Sequence, residues 1–218
     1  MPKDWNFIFS VVTALVGIVT AIVAIFSLGQ TRKQIKLSNK QHLFDKRVEN
    51  YLIATGLIQL YRNNCMHFND EKDEPMFSVD LDFTWLTNNT YLEEITPAIH
   101  NPLKEPSHKE LLIKLEDLKE VATKIKFLFY GKSSILLGDF ILRYQELLFS
   151  MYQYQIILDK MNKVNEGHRL KIEEAQERVG EKKYRIKLKE AFDNLKQADN
   201  MLKNENVEEE IKKQIKLC

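Results

Sequence analysis

The 22 residues from Phe7 to Leu28 carry no charge, and this stretch constrains the fold of the chain more than any other. As an α-helix with a rise of 1.5 Å per residue, this stretch is about 33 Å long, slightly more than the roughly 30 Å hydrocarbon core of a bilayer. Fourteen of its residues are Phe, Ile, Val or Leu, and each favours insertion by roughly 0.3 to 0.6 kcal/mol. The stretch therefore predicts a transmembrane anchor within residues 1–29.

Basic residues follow the apolar stretch, whereas Lys3 stands alone before it beside Asp4. A secretory signal peptide has a shorter apolar core, about 7 to 15 residues, with its basic residues in front. We therefore expect an uncleaved single-pass anchor with its N-terminus outside and the rest of the chain in the cytoplasm, by the positive-inside rule. The basic residues either contact lipid headgroups or serve only as this orientation signal; they are Arg32, Lys33, Lys36 and Lys40.

Small residues within the anchor share one side of the expected helix. Six of the eight small residues lie within an arc of roughly 100° on a helical wheel; they are Ser10, Thr13, Ala14, Gly17, Ala21 and Ala24. Small residues spaced four apart let two membrane helices approach closely. This anchor face predicts association with a second copy of the chain, although small residues are also common in membrane helices that do not associate.

The next two segments differ in pattern. Residues 30–63 contain no proline and repeat an apolar residue every seven positions, which predicts a juxtamembrane amphipathic helix; the repeat is Leu37, Phe44, Tyr51 and Ile58. Residues 64–106 form an acidic connector, in which apolar and polar residues alternate from Phe77 to Trp85. Such alternation is typical of a strand with one buried face, so we expect an extended segment there, followed by a short helix around Pro97.

Residues 107–165 have the strongest apolar pattern. Ser107 and Glu110 have the spacing of a capping box, and Gly131 is placed to end the helix that they open. One face of this helix is apolar, through Leu111, Leu115, Leu118, Ala122, Ile125 and Phe129. A second helix, beginning at Ser133 or Ser134, is apolar around much of its circumference. We expect these two helices to form a hairpin that is the hydrophobic core.

Residues 166–218 are rich in charge and predict further helices. One row of apolar residues alternates spacings of four and three, which fits either a coiled coil or a helix packed back on the core; it comprises Tyr184, Leu188, Ala191, Leu195, Ala198 and Leu202. Lysine and arginine are concentrated between residues 182 and 189. Such a run is most often a solvated helix face, with contact to phosphate or lipid as the alternative.

No motif of an enzyme is present. The GKS sequence at Gly131 resembles the end of a P-loop, but Lys126 stands where the first glycine is required. Cys65 and Cys218 are too few for a disulfide framework, and the five histidines lack the spacing of zinc ligands. The formal net charge of +1 gives no general attraction to nucleic acid. We therefore expect no catalytic residue, no cofactor, no bound metal and no nucleic acid partner.

One rival interpretation concerns Asp80 and Asp82. On an extended segment, residues two apart point to the same side, so the two carboxylates would together face a divalent cation. The alternative to an interaction protein is thus a membrane-tethered enzyme with an acidic metal site at these two residues.

The juxtamembrane segment LSNKQHLFDKRVENYL follows a single anchor and has the pattern N-x-Q-x-x-F-x-x-R-x-x-x-Y, carried by Asn39, Gln41, Phe44, Arg47 and Tyr51. This arrangement resembles uncharacterised bacterial single-span membrane proteins. The segments LTNNTYLEEI and FSMYQYQI are similar to parts of such proteins as well. The resemblance implies a bacterial inner membrane protein. Some similarly built proteins are suspected effectors in phage defence, which extends to this chain only by architectural analogy.

The expected fold class is all-α, with one N-terminal transmembrane helix that continues into a cytoplasmic bundle of long antiparallel helices. Low usage of glycine (7 residues) and proline (5 residues) agrees with long helices and few tight turns. We expect a homo-oligomeric membrane protein that assembles through its anchor and docks an unknown cytoplasmic protein partner. The expected segments are residues 1–29, 30–63, 64–106, 107–165 and 166–218.

Overall fold

The computed structural model describes residues 3–67, 74–168 and 171–216. It is 88% helical and has no strand among these residues, which confirms the all-α class. The eight α-helices within the described ranges are α1 Lys3–Asn64, α2 Val79–Thr87, α3 Pro97–His100, α4 Ser107–Leu128, α5 Lys132–His168, α6 Ile172–Val179, α7 Glu181–Asn204 and α8 Val207–Lys216. Two short 3-10 helices, Cys65–His67 and Glu93–Ile95, complete the element order.

The chain divides into two compact units, Met1–Asp45 and Lys46–Cys218. In the first unit, the described residues belong to α1, and every side chain described there is exposed. Its most apolar 18-residue window has a mean hydropathy of 2.7, and none of that window is buried. Among the described residues, α1 is the one helix that is long and apolar enough to cross a membrane.

The second unit is a helical bundle built around α5, which packs against α2, α3, α4, α6, α7 and α8. The remainder of α1 joins this core through Ala54, Leu57, Ile58 and Tyr61, all of them buried. The ring of Tyr61 meets Phe140 of α5 edge-on, with centroids 6.1 Å apart, and meets Phe192 of α7 at 6.2 Å. Aromatic contacts of this kind add to the burial of apolar area that holds the bundle together.

The hairpin predicted for residues 107–165 is present as α4 and α5. The turn between them comprises residues 129–131, and Gly131 has φ of +81°, a left-handed conformation that glycine adopts readily. Lys126 before the turn reaches Asp139 after it, with Nζ 2.6 Å from Oδ1. Apolar residues of α4 and α5 fill the core, as the pattern indicated.

The extended segment expected from Phe77 to Trp85 is wrong, because most of it belongs to α2. Residues Val79, Asp82, Phe83, Leu86 and Thr87 are buried, which is the i, i+3, i+4, i+7 and i+8 pattern of a helix. The supposed buried positions Phe77 and Leu81 are instead 53% and 47% exposed. Burial therefore follows a period of 3.6 and not the period of two that the short alternation suggested.

The sequence makes a specific prediction for the start of α4 and another for the apolar row of α7. Ser107 is already the first residue of α4, Pro106 precedes it at the cap, and no side chain bonds to that cap, so the predicted capping box is absent. The apolar row of α7 packs in the bundle, with Leu188, Leu195 and Leu202 almost fully buried and α7 against α5. Of the two interpretations of that row, packing back on the core is the one that the structure supports.

Candidate functional site

The anchor face lies on α1 within the first unit. All six of its residues are exposed, and a side chain built at Gly17 would meet nothing within 4 Å. The hydroxyl of Thr13 donates a hydrogen bond to the Phe9 carbonyl oxygen at 2.8 Å, so its polar group is satisfied within the helix. Among the described residues, none packs against position 17, so the helix has room for a larger residue there.

The four basic residues that follow the apolar stretch are exposed on the same helix. None of Arg32, Lys33, Lys36 and Lys40 is paired with a carboxylate among the residues that the structure describes. Their charges are therefore free of internal partners, as expected for side chains that face solvent or an anionic surface.

Arg47 lies just inside the second unit and holds the ends of two helices. Its Nε donates to the carbonyl oxygen of Leu128 at 2.8 Å, in the last turn of α4, and its Nη1 donates to the carbonyl oxygen of Gln214 at 3.2 Å, near the end of α8. The guanidinium carbon also lies 5.7 Å from the ring centroid of Phe129. The carbonyls at helix C-termini carry partial negative charge, so a cation is well placed there.

Gln214 makes a second contact in the same region. Its side-chain Oε1 accepts from the backbone nitrogen of Tyr130 at 2.9 Å, and its Nε2 donates to the carbonyl oxygen of Tyr130 at 3.0 Å. The Gln214 amide thus forms hydrogen bonds with both the N–H and the C=O group of Tyr130. Because Gln214 is buried, this pairing satisfies polar groups that would otherwise lack water.

Arg62, near the end of α1, joins α7 and α8. Its Nε lies 2.7 Å from Oδ1 of Asp199, and its Nη1 lies 2.8 Å from Oε1 of Glu208. Burial opposes the charge of Arg62, but hydrogen bonds to these two carboxylates outweigh it and raise the pKa of the guanidinium. Lys203 adds a further cation, 2.6 Å from Oδ2 of Asp199. The network ties α1 to both C-terminal helices.

A buried polar cluster lies where α5 meets the start of α7. The Tyr154 hydroxyl donates to Glu181 Oε1 and accepts from the backbone nitrogen of Met76 at 2.9 Å. Glu181 is fully buried and pairs with Arg185 at 3.1 Å, one helical turn further on. Burial, followed by the bond to Glu181, raises the pKa of Tyr154 well above its usual value. This cluster connects three elements that are distant in sequence.

The sequence pattern pointed to few of these contacts. Arg47 was prominent in the juxtamembrane pattern, but its helix-end partners were not foreseen. Arg62, Gln214 and Glu181 stand among many charged and polar residues, with no local signal that sets them apart. Their roles come from the tertiary fold.

The carboxylates of the rival metal-site hypothesis do not share one side. In α2, Asp80 and Asp82 are separated by about 200° around the helix, so the premise that they jointly face a cation is wrong. Asp82 is buried, while the Asp80 carboxylate accepts a hydrogen bond from the next backbone nitrogen at 2.8 Å. Within the described ranges, no group of three or more His, Cys, Asp and Glu side chains is arranged to hold a metal ion.

The face of α1 with small residues and the two arginines that hold the bundle onto α1 are thus the features with the clearest geometry. Comparisons with protein-family models, with curated proteins and with solved structures found no match to this chain.

Proposed function

We propose that this protein is a single-pass membrane protein that associates with copies of itself through its anchor and uses its helical bundle to dock a protein partner. The observation that carries the proposal is the apolar window of α1, with mean hydropathy 2.7 and no residue buried. An apolar helix of a soluble protein is normally buried against a core, whereas lipid covers a helix that spans a bilayer.

The direction of insertion follows from charge. Four basic residues come directly after the apolar window, and a single lysine beside an aspartate precedes it. By the positive-inside rule the N-terminus lies outside and the bundle in the cytoplasm of a bacterial cell. Exposed Arg32, Lys33, Lys36 and Lys40 then lie where anionic headgroups attract cations, each contributing about 1 kcal/mol near the surface.

The anchor face supports self-association. Gly17 has open space where a side chain would stand, so the position is not required by packing within the chain. A close approach of a second helix is a use that glycine serves, because in lipid two helices associate through tight packing and not through the hydrophobic effect. A second copy is the simplest partner in the same membrane.

The experiment uses the full chain expressed in bacteria in two differently tagged versions. Gly17→Ile places a large side chain on the anchor face, and Val19→Ile, which enlarges an apolar side chain on the opposite side of the same helix, is the control. We expect all three proteins to remain in the membrane after alkaline carbonate extraction. Crosslinking between the two tags should be lost in Gly17→Ile and retained in Val19→Ile.

Two results would contradict the proposal. Release of the wild-type chain into the alkaline supernatant would show that residues 7–28 do not anchor it in the membrane. Equal crosslinking in Gly17→Ile and Val19→Ile would refute association through the anchor face, while the proposal of a membrane anchor would stand.

A further inference from the structure

Helices α7 and α8 are one helical sequence interrupted at a single turn. From Glu181 to Lys216 the sequence contains neither glycine nor proline, so no residue in it enforces a break. The interruption is the pair Glu205 and Asn206, where Asn206 has φ of +48°. Asparagine tolerates this left-handed conformation better than other residues with a side chain, and it also enters helices. The turn is therefore compatible with a second state in which α7 continues into α8.

α8 is seated in a groove that matches it closely. Val207 and Ile211 are fully buried in the core of the bundle. At one end of α8, Gln214 pairs with the backbone of Tyr130 and its carbonyl oxygen accepts from Arg47. At the other end, Glu208 pairs with Arg62. The groove thus recognises the apolar residues, one acidic side chain and one amide of this particular helix.

We propose that α8 is exchanged between two copies of the protein. In the exchanged state, α7 and α8 form one continuous helix, and α8 lies in the groove of the second copy with the same contacts that it makes in its own. A second α8 is the occupant that the groove fits, since every contact on which the fit depends is present in the structure.

The two states differ in free energy only at the turn and in the cost of bringing two chains together. The buried residues and the arginine contacts of α8 are identical in both states, so they cancel. Straightening the turn replaces the left-handed conformation of Asn206 by a helical one. The remaining cost is that of bringing two chains together, which shared residence in a membrane reduces by raising the effective concentration. The proposal rests on the self-association proposed above.

The test uses two complementary full-length chains expressed in the same cells. One carries Lys213→Arg and the other carries Lys46→Arg, so neither chain alone retains both lysines of the pair. Lys46 and Lys213 are neighbours in sequence of Arg47 and Gln214, which are in contact. An amine crosslink between Lys46 and Lys213 in the mixture must then join two copies. A link from Lys33 to Lys33 also requires two copies and reports association alone.

Asn206→Ala and Asn206→Gly are each placed in both chains. The two variants should shift the equilibrium between the turn and the continuous helix in opposite directions. Alanine disfavours the left-handed turn and favours a continuous helix, whereas glycine does the reverse. Position 206 is exposed, so neither variant should disturb the core. We expect the Lys46–Lys213 link in the mixed sample, with a yield at least about tenfold higher in Asn206→Ala than in Asn206→Gly.

Three results would overturn the exchange. If Lys33–Lys33 links form and Lys46–Lys213 links do not, the copies associate without exchanging α8. If the Lys46–Lys213 yield is equal in the alanine and glycine variants, the copies touch there without opening the turn. If neither link forms, self-association fails and the exchange fails with it.

Discussion

Replacing Arg47 by alanine should be among the most destabilising single changes on the surface of the bundle. The change removes two hydrogen bonds from a charged donor, to the carbonyl oxygens of Leu128 at 2.8 Å and Gln214 at 3.2 Å. Such bonds contribute about 1.5 to 3 kcal/mol each, and the partial exposure of Arg47 argues for the low end. The contact with the Phe129 ring adds about 0.5 to 1 kcal/mol. We expect a total loss of about 3.5 to 4 kcal/mol.

The matched control is the preceding residue. Lys46 pairs with Glu49 at 2.7 Å, but both side chains are largely exposed, and such pairs contribute only about 0.2 to 0.5 kcal/mol. For a unit of this size, 1 kcal/mol moves the melting temperature by about 2 to 4 °C. Thermal unfolding of the full chain in detergent, followed by circular dichroism, should show a fall of about 7 to 16 °C for Arg47→Ala and under about 2 °C for Lys46→Ala. Equal melting temperatures would refute the assigned role of Arg47.

Two other predictions use the same assay at other positions. At Gly138, an added Cβ would lie 2.9 Å from the Ala122 carbonyl oxygen, so Gly138→Ala should destabilise the protein by about 1 to 3 kcal/mol. At Gly56, an added Cβ has no neighbour closer than 3.8 Å, so Gly56→Ala should stabilise the protein by about 0.5 to 1 kcal/mol. A Gly138→Ala variant more stable than Gly56→Ala would contradict the close approach of α4 and α5. Burial raises the pKa of Tyr144 and, with nearby acids, raises that of Tyr91 to about 12. Since unfolded tyrosine titrates near pH 10, stability should hold below about pH 10 and fall as the pH approaches these raised values. The last part of the tyrosinate absorbance at 295 nm should appear only with unfolding, and full ionisation in a chain that stays folded would refute the prediction.

Long amphipathic helices could be predicted from the sequence because their burial repeats over many turns. In α4, Leu111, Leu115, Leu118 and Ile125 carry the helical period over 15 positions, and all are buried. A pattern of that length fits the helical period of 3.6 residues and excludes the strand period of two. The same holds for the apolar stretch of α1, where length and lack of charge suffice.

The alternation that precedes and enters α2 predicted the wrong element because it is short. Between Phe77 and Trp85 the alternation covers only nine residues, and within so short a window two of its apolar residues, Val79 and Phe83, fit a helical period as well. Val79, Phe83 and Leu86 lie at i, i+4 and i+7, and these are the residues that are buried. The choice between helix and strand was decided by the bundle surface available to α2, and a lone strand among helices would have left its backbone groups unpaired.

The contacts that hold α1 to the bundle could not be inferred at all, for a different reason. Arg47 and Gln214 are 167 positions apart, and Arg62 and Glu208 are 146 apart. Local sequence determines that each is on a helix, but not which helices meet. Nothing marks Arg62 as different from the many lysines and arginines that face solvent. Yet these two arginines bind opposite ends of α8, so α8 contacts α1 at both of its ends. Any displacement of α8 must therefore break the contacts that Gln214 and Glu208 make with Arg47 and Arg62 of α1.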